Sequence, residues 1–323
     1  MIRRLMIAFN LVSLCFAGAA AAAEPPAKSA GVVITDLGDR LHVEIGGQLF
    51  TEYWYKDAPR PYMYPVIGPT GDPMTRNWPM KEVPGEPTDH VHHRSLWYAH
   101  GKVNGQNFWS EAKSFGKIVH QKFLKIESGD DLGVVQSQNQ WVAANSDPVC
   151  EDVRTIRFYN RPGERLLDFD VTLKATNGPV TMGDTKEGSM AIRVAPTMQL
   201  KGGQGHIVTS EGARDKDAWG KRAAWCDYYG PVNGKIVGVA IFDHPQNPRH
   251  PTWWHVRDYG LFAANPFGAH DFEKQPVGAG DLTIPAGGIL ALRYQFYFHE
   301  GDEAQAKVAE HYKEYASANP DSR

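Results

Sequence analysis

Between residues 117 and 175 the chain contains a succession of short strand-like runs, with turn sequences between them. Four such runs lie at 117–127, 132–142, 151–159 and 165–175. Earlier in the chain, Leu41-His42-Val43-Glu44-Ile45 alternates apolar and polar residues, and this two-residue period is typical of β-strands. Arg161-Pro162-Gly163-Glu164 is a turn signal between the last two runs. Strands at such regular spacing favour an antiparallel sandwich over βαβ units.

Other parts of the chain extend this pattern. Further strands are predicted at 41–45, 189–195, 235–242 and 289–298. The 32 Gly and 22 Pro residues have no collagen-like period and indicate many turns. Hydrophobic residues make up 42% of the chain, which supports a sizeable core and excludes wholesale disorder. We therefore predict an all-β fold, one large antiparallel β-sandwich over residues 35–323.

Three segments lack a strand period and are predicted to be long loops, namely 56–89, 201–234 and 243–288. Ordered loops of this length on a β scaffold are usually functional. One helix is predicted, from Glu303 to Ala316. Its Ala-rich, charged pattern is typical of a surface helix packed on the sandwich.

The N-terminal residues 1–23 have the pattern of a secretory signal peptide. Arg3 and Arg4 precede an apolar stretch, and Ala21-Ala22-Ala23 provides a cleavage site. An uncleaved N-terminal anchor is the alternative. Residues 24–34 are predicted to be a linker. No later apolar run approaches 18 residues, so we expect no membrane span after cleavage and a periplasmic or secreted protein.

Charge and motif content narrow the set of partners. The formal net charge is −3, so no basic surplus indicates a nucleic acid. Dinucleotide-binding, Walker A, HExxH and CxxC motifs are all missing from the sequence, and we expect no cofactor and no resident metal. Cys150 and Cys226 either form one disulfide or are two separately buried thiols. The oligomeric state stays open.

The strongest local feature is a histidine cluster in the sequence DHVHHRSLW, residues 89–97. If this segment is extended, His90 and His92 share one face and His93 has the other. An H-x-H pair can bind a metal through its imidazoles, whereas histidine near neutral pH can also act as a general acid or base. Arg94 would then bind an oxyanion. A loop of structural histidines is the third interpretation.

A carboxylate and a guanidinium lie close together further along the chain. Glu187 comes directly before a predicted strand, and Arg193 lies within it between apolar neighbours. A charged residue inside a strand usually has a partner, and Glu187 is the nearest candidate. The pair is either structural or the source of a catalytic carboxylate.

Aromatic residues accompany polar ones in two other segments. Trp254, His255, Arg257 and Asn265 lie close together in sequence, and Trp219 precedes them. Carbohydrate sites are built in this way, because aromatic faces stack on sugars while polar groups bind hydroxyls. A packed loop is the alternative. In the segment 101–111 Trp109 is either a stacking platform or a core residue of a hairpin that turns at Asn104-Gly105.

Together these segments resemble the conserved blocks of the PmoA-like domain of unknown function. The matching sequences are PTDHVHHRSLWYAHGKVNGQNFW, TKEGSMAIRVAPTM, EGARDKDAWGKRAAW and HPQNPRHPTWWHVRDYGLFAANPFG, within residues 35–315. The resemblance implies a protein of glycan-degrading bacteria and no settled activity. The label "methane oxygenase" often given to this family does not suit a mature chain without transmembrane segments. At the level of fold, the chain is also similar to galactose-mutarotase-like sandwiches, which implies a concave sheet face carrying His, Arg and Glu.

We therefore predict an exported carbohydrate-active enzyme, a hydrolase, lyase or epimerase, that acts on a carbohydrate substrate. His92 or His93 would be the general acid and Glu187 or His255 the base. The predicted substrate-binding residues are His90, Arg94, Trp109, Arg193, Trp219, Trp254, Arg257 and Asn265. Two alternatives stay open, a non-catalytic glycan-binding module and a metal-dependent enzyme that uses the His90/His92 pair.

Overall fold

Strands pair antiparallel in every pairing of the computed structural model, which describes residues 31–318. The strands are β1 (Val32–Asp36), β2 (Arg40–Ile45), β3 (Gln48–Trp54), β4 (Tyr62–Val66), β5 (Leu96–His100), β6 (Lys117–Glu127), β7 (Leu132–Val142), β8 (Pro148–Tyr159), β9 (Arg165–Lys174), β10 (Val180–Met182), β11 (Gly188–Arg193), β12 (His206–Thr209), β13 (Arg222–Ala223), β14 (Trp225–Val232), β15 (Lys235–Asp243), β16 (Thr252–Val256), β17 (Leu261–Asn265), β18 (Leu282–Ile284) and β19 (Ile289–Glu300). The helices are α1 (Ala269–Glu273) and α2 (Val308–Ser317), with short 3-10 turns at Pro196–Met198 and Asp215–Ala218.

Two large sheets form the sandwich. One has nine strands in the order β1-β2-β3-β4-β5-β11-β17-β16-β13, and the other has eight in the order β12-β14-β15-β19-β9-β8-β7-β6. Strands β10 and β18 form a small third sheet. The predicted all-β antiparallel sandwich with a C-terminal helix is confirmed. No helix among residues 31–318 is long and apolar enough to cross a membrane.

The repeated runs of the sequence form a meander in the eight-stranded sheet. Strands β6 to β9 follow one another along the chain and pair in that order. Every second residue of β7 is buried, because one face of the strand packs in the core while the other is partly exposed to solvent. The four strands predicted between residues 117 and 175 are thereby confirmed.

The core lies between the two large sheets. Tyr98 of β5 meets Trp141 of β7 with ring centroids 6.1 Å apart, and Phe262 of β17 meets Tyr228 of β14 at 6.2 Å. These contacts identify the inner face of the nine-stranded sheet. Neighbouring residues of the same strands point the other way, since side chains alternate along a strand.

The outer face of the nine-stranded sheet is also buried. Trp97, Ala191, Ala263 and His255 are consecutive cross-strand partners there, and each is at most 3% exposed. The segment 87–95 and helix α1 cover this face, as ring contacts of His93 with Trp97 and of Phe272 with His255 show. The sandwich therefore has a covered outer layer, and the candidate site lies in it.

Strands buried on both faces escaped the sequence analysis. All five residues of β16 and all five of β17 are buried, so neither strand alternates in polarity. The loops predicted at 56–89, 201–234 and 243–288 accordingly contain strands, namely β4, β12 to β14, and β16 to β18. The predicted helix begins later than Glu303, at Val308, because residues 303–307 form turns.

The N-terminal predictions lie mostly outside the described residues. This holds for the signal peptide at 1–23 and for residues 24–30 of the predicted linker. The linker ends before residue 34, because Val32 and Ile34 are buried in β1. Cys150 in β8 and Cys226 in β14 are free, buried thiols and do not form a disulfide.

A buried ion pair links two strands of the eight-stranded sheet. His299 Nε2 lies 3.0 Å from Asp227 Oδ1, and both side chains are at most 1% exposed. Burial alone would lower the pKa of His299, but the charge and hydrogen bond of Asp227 outweigh it and raise the pKa. The protonated imidazole is therefore the form that the fold stabilises.

We expect Asp227→Asn to lower the free energy of unfolding by about 3 kcal/mol at pH 6, because it leaves His299 buried without its partner. The stabilisation from His299 is complete below its unfolded pKa of about 6.5 and is lost as pH rises through the raised folded pKa. Urea unfolding at pH 6 and pH 9 should thus show a smaller effect at pH 9. Glu127→Gln, in an exposed ion pair with Lys125, is the control and should change little. Equal losses at both pH values would contradict the assignment.

Candidate functional site

The histidine cluster forms a turn and not the extended segment that the sequence suggested. His90 has a left-handed φ of 47°, and the His93 amide donates to the His90 carbonyl at 3.0 Å. The turn stacks the His90 and His93 rings, with centroids 4.7 Å apart. His90 therefore stacks on His93, while the His92 ring lies 5.7 Å from the His90 ring, so the extended geometry on which the sequence prediction depended is not formed.

Asp89 is the centre of charge in this turn. Arg193 donates to both of its carboxylate oxygens at 3.1 and 3.2 Å, and Arg76 donates at 2.7 Å. The predicted Glu187–Arg193 pair is thus wrong, because Arg193 pairs with Asp89. Burial raises the pKa of Asp89, but Arg193, His90 and Arg76 outweigh it and lower that pKa, so the carboxylate is ionised.

The ionised Asp89 orients His90. Nδ1 of His90 contacts Asp89 Oδ2 in a close hydrogen bond. An ionised carboxylate only accepts, so Nδ1–H of His90 is the donor. When the ring is neutral, its Nε2 carries the lone pair and can accept a proton. This carboxylate–imidazole arrangement is that of an oriented general base.

His93 and His92 are neutral at neutral pH. The pKa of His93 is well below its usual value because of burial and the charges of His92 and Arg193, and the pKa of His92 is lowered to about 3 by burial and by Arg60. Arg193 donates to His93 Nδ1 at 3.0 Å, which leaves Nε2–H of His93 as a donor. Neither ring is therefore an imidazolium that could transfer a proton. The general-acid role predicted for His92 or His93 is corrected, because both rings are neutral groups.

His255 is also a neutral imidazole, and burial is again the main cause. Its Nδ1 accepts a hydrogen bond from Trp219 Nε1 at 3.0 Å, so Nε2 carries the proton. Burial, with the charges of Arg257 and Lys186, lowers its pKa to about 3. A base this weak is poorly suited to proton abstraction at neutral pH, so the predicted base role of His255 becomes hydrogen-bond donation.

Glu187 is the carboxylate left available at the site. It is partly buried at the beginning of β11, and among residues 31–318 no side chain forms a hydrogen bond or ion pair with its carboxylate. Burial raises its pKa, against the lowering charges of Lys186, His90 and Arg257. A raised pKa favours the protonated form of this carboxyl relative to an exposed glutamate.

Aromatic and cationic side chains form a wall beside these groups. Tyr259 stacks on His90 at 5.1 Å, and Arg257 lies 5.5 Å from the Tyr259 ring and 5.8 Å from the Trp219 ring. A cavity of about 240 Å³ opens next to it, lined by Lys216, Trp219, Val256, Arg257 and Asp258. The sequence analysis assigned no role to Tyr259 or Asp89, although Asp89 directly precedes His90 and Tyr259 is two residues after Arg257.

Several predicted substrate-binding residues are structural. Trp109 is fully buried beneath His93, and Trp254 lies on the inner face and donates to the Ala223 carbonyl. Neither ring is accessible to a sugar. Asn265 is buried as well, and its amide donates to the carbonyls of Thr185 and Lys186. It thereby holds the segment that presents Glu187.

Arg94 has a partner of its own. Its guanidinium donates to both carboxylate oxygens of Glu111, at 2.8 and 2.9 Å, and lies over the Tyr62 ring. Because the Arg94 guanidinium is used in this bidentate pair, it is not free to bind the oxyanion that the sequence analysis assigned to it. Among residues 31–318 no group of three His, Cys, Asp or Glu side chains is arranged to hold a metal ion.

Comparison with known proteins identifies a family. The model of DUF6807, described as a family of unknown function, matches residues 40–313. No curated protein matches the sequence. None of these findings tests the PmoA-like name, which stays a prediction.

Solved structures resemble the chain at low sequence identity. An α-galactosidase from Lactobacillus brevis is 7% identical with a TM-score of 0.44, over 85% of this chain and 40% of that one. An α-galactosidase from Geobacillus stearothermophilus is 9% identical with a TM-score of 0.44, over 84% and 41%. A galactose mutarotase-like protein from Lactobacillus casei is 9% identical with a TM-score of 0.32, over 83% and 100%. The chain spans about two-fifths of the two α-galactosidases.

We expect the His255 ring to stay neutral down to about pH 3, with its proton on Nε2. Trp219→Phe keeps a ring but removes the N–H donor, so the Nδ1–H tautomer should become populated while burial keeps the pKa low. Nitrogen-15 NMR of labelled histidine measures both quantities. Trp78→Phe, in another loop, is the matched control and should leave the His255 signals unchanged. A His255 titration near pH 6.5 in the wild type would contradict the assigned state.

Proposed function

We propose that this chain, which belongs to DUF6807, a family of unknown function, is an exported carbohydrate-active enzyme that works by proton transfer. The observation that carries the proposal is an oriented imidazole, that of His90, which the ionised Asp89 holds. Glu187 offers a carboxyl group that no side chain among residues 31–318 binds, and burial raises its pKa. One group can accept a proton while the other gives one, as general acid–base catalysis requires.

The surroundings of this pair favour a sugar as substrate. Trp219 and Tyr259 are partly exposed aromatic rings, and aromatic faces stack on the C–H faces of sugars. Apolar surface with a few fixed polar groups is the composition of small-molecule sites.

The charge pattern favours elimination or epimerisation over hydrolysis. Most glycoside hydrolases use two carboxyl groups that flank the scissile bond. Here Asp89 is already bound to Arg193 and Arg76, which leaves Glu187 as the carboxyl without a partner among the described residues of the site. One carboxyl and one imidazole suffice for removing a proton from carbon and protonating oxygen.

A non-catalytic glycan-binding module is the second candidate. The wall of Trp219, Arg257 and Tyr259 would serve binding alone equally well. Binding alone, however, does not need an imidazole that a carboxylate orients, or a carboxyl group left without a partner among residues 31–318. A metal-dependent mechanism is not favoured, because no third metal ligand accompanies His90 and His92 among residues 31–318. Export rests on the signal peptide predicted at residues 1–23.

We expect His90→Asn and Glu187→Gln each to lower turnover of the sugar substrate by about 10²- to 10⁴-fold, the usual contribution of a general acid or base. Purified protein would be incubated with neutral and uronic oligosaccharides in D2O. Mass spectrometry then detects cleavage, and NMR detects epimerisation and deuterium uptake. Glu127→Gln, on the edge strand β6, is the control for carboxylate loss.

The same measurements distinguish the enzyme from the glycan-binding module. Sugar binding without turnover in the wild type would favour the binding module. Full activity in both His90→Asn and Glu187→Gln would overturn the proton-transfer proposal, provided that circular dichroism shows folded variants.

A further inference from the structure

Two cationic side chains at the site have no ion-pair partner among residues 31–318. They are Arg257 and Lys186, and both act electrostatically on His255 and Glu187. The other cations nearby are paired, since Arg76 and Arg193 bind Asp89 and Arg94 binds Glu111. An unpaired guanidinium beside a cavity points to an anion in the ligand.

The cavity beside Trp219 supports this reasoning. Its charged lining consists of Arg257, Lys216 and Asp258, and Lys216 lies 3.9 Å from Asp258. That contact neutralises one positive charge and leaves the charge of Arg257. Trp219 supplies an aromatic ring on the same wall. The cavity has a volume of about 240 Å³, which is on the scale of a single sugar ring.

Resting on the proposed function, we infer that the substrate is a uronate, a sugar with a carboxylate at C6, and that Arg257 binds this carboxylate in the cavity while Trp219 stacks on the ring. Arg257 presents a planar fork of donors that matches a carboxylate.

Tyr259 links this subsite to the acid–base pair. His90 stacks on the Tyr259 ring at 5.1 Å, and Arg257 lies 5.5 Å from the same ring. Tyr259 is therefore a ring that both the proposed base and the proposed carboxylate ligand contact, and the inference places the carbon next to the carboxylate on the side of His90. Pairing the carboxylate with a guanidinium also stabilises the negative charge that develops when that carbon loses its proton.

The chemistry that follows is a β-elimination. His90 Nε2 takes the proton from C5, and the electron pair that it leaves forms the C4=C5 double bond. The C4–O bond breaks, and Glu187 gives its proton to the departing oxygen. The products are an unsaturated uronate and a free hydroxyl, so atoms and charges balance without a further reactant.

The test compares oligogalacturonate with its methyl ester, which keeps the shape and removes the charge. Calorimetry measures binding, and ultraviolet absorbance detects the unsaturated product. We expect the ester to bind roughly 10- to 100-fold more weakly, and Arg257→Gln to weaken binding of the acid by a similar factor. Arg257→Lys should retain part of the affinity. Arg161→Gln, an exposed arginine in the turn after β8, is the matched control.

The outcomes separate the inference from the proposed function. Equal binding and turnover of acid and ester, or no effect of Arg257→Gln, would overturn the uronate inference and leave the proton-transfer proposal standing. Uronate binding that depends on Arg257, without product, would support the subsite and overturn the elimination step. Preference for a sulfated oligosaccharide over the uronate would overturn the carboxylate assignment. No binding of any sugar would overturn both proposals.

Discussion

Two buried guanidinium groups share one carboxylate, and the candidate site depends on this arrangement. The Arg76 and Arg193 side chains are at most 1% exposed, and Asp89 is the carboxylate that balances them. Removing a partner from such a buried group is strongly destabilising, because a charge is left without compensation. The same Arg193 fixes the tautomer of His93, and the same Asp89 orients His90. Charge balance inside the covered layer thus sets the hydrogen-bonding state of the groups at its surface.

The sequence predicts strands well where one face meets solvent and poorly where neither does. In β2 every second residue is buried, and the alternation of Leu41, Val43 and Ile45 with polar residues is visible in its sequence. In β16 and β17 every residue is buried, and the polar residues Thr252, His255 and Asn265 occur among apolar ones without a two-residue period. Because loops cover the outer face, the strands beneath them are buried on both sides. Such strands lack the alternation of polar and apolar residues that identifies a strand in a sequence.

The candidate site was predictable in its residue content but not in its roles. The histidine cluster, Glu187, His255 and Arg257 were identified because such residue types are unusual in these positions. The partner of Arg193 was missed because Asp89 is 104 residues away in the chain, whereas Glu187 is close. The burial of Trp109 and Trp254 cannot be inferred from residue type, since a tryptophan serves in a core as readily as on a surface. Protonation states follow from burial and long-range charges, neither of which is local in sequence.

The buried neutral histidines have a consequence for where such a protein can work. His92, His93, His100 and His255 all have lowered pKa values, chiefly because of burial. Below about pH 6.5 these rings bind protons in the unfolded chain but not in the folded chain, so acidification favours unfolding. Each imidazole that burial keeps neutral therefore lowers the stability of the whole sandwich at acidic pH. A chain with this set of buried rings therefore loses its folded state progressively as its surroundings become more acidic.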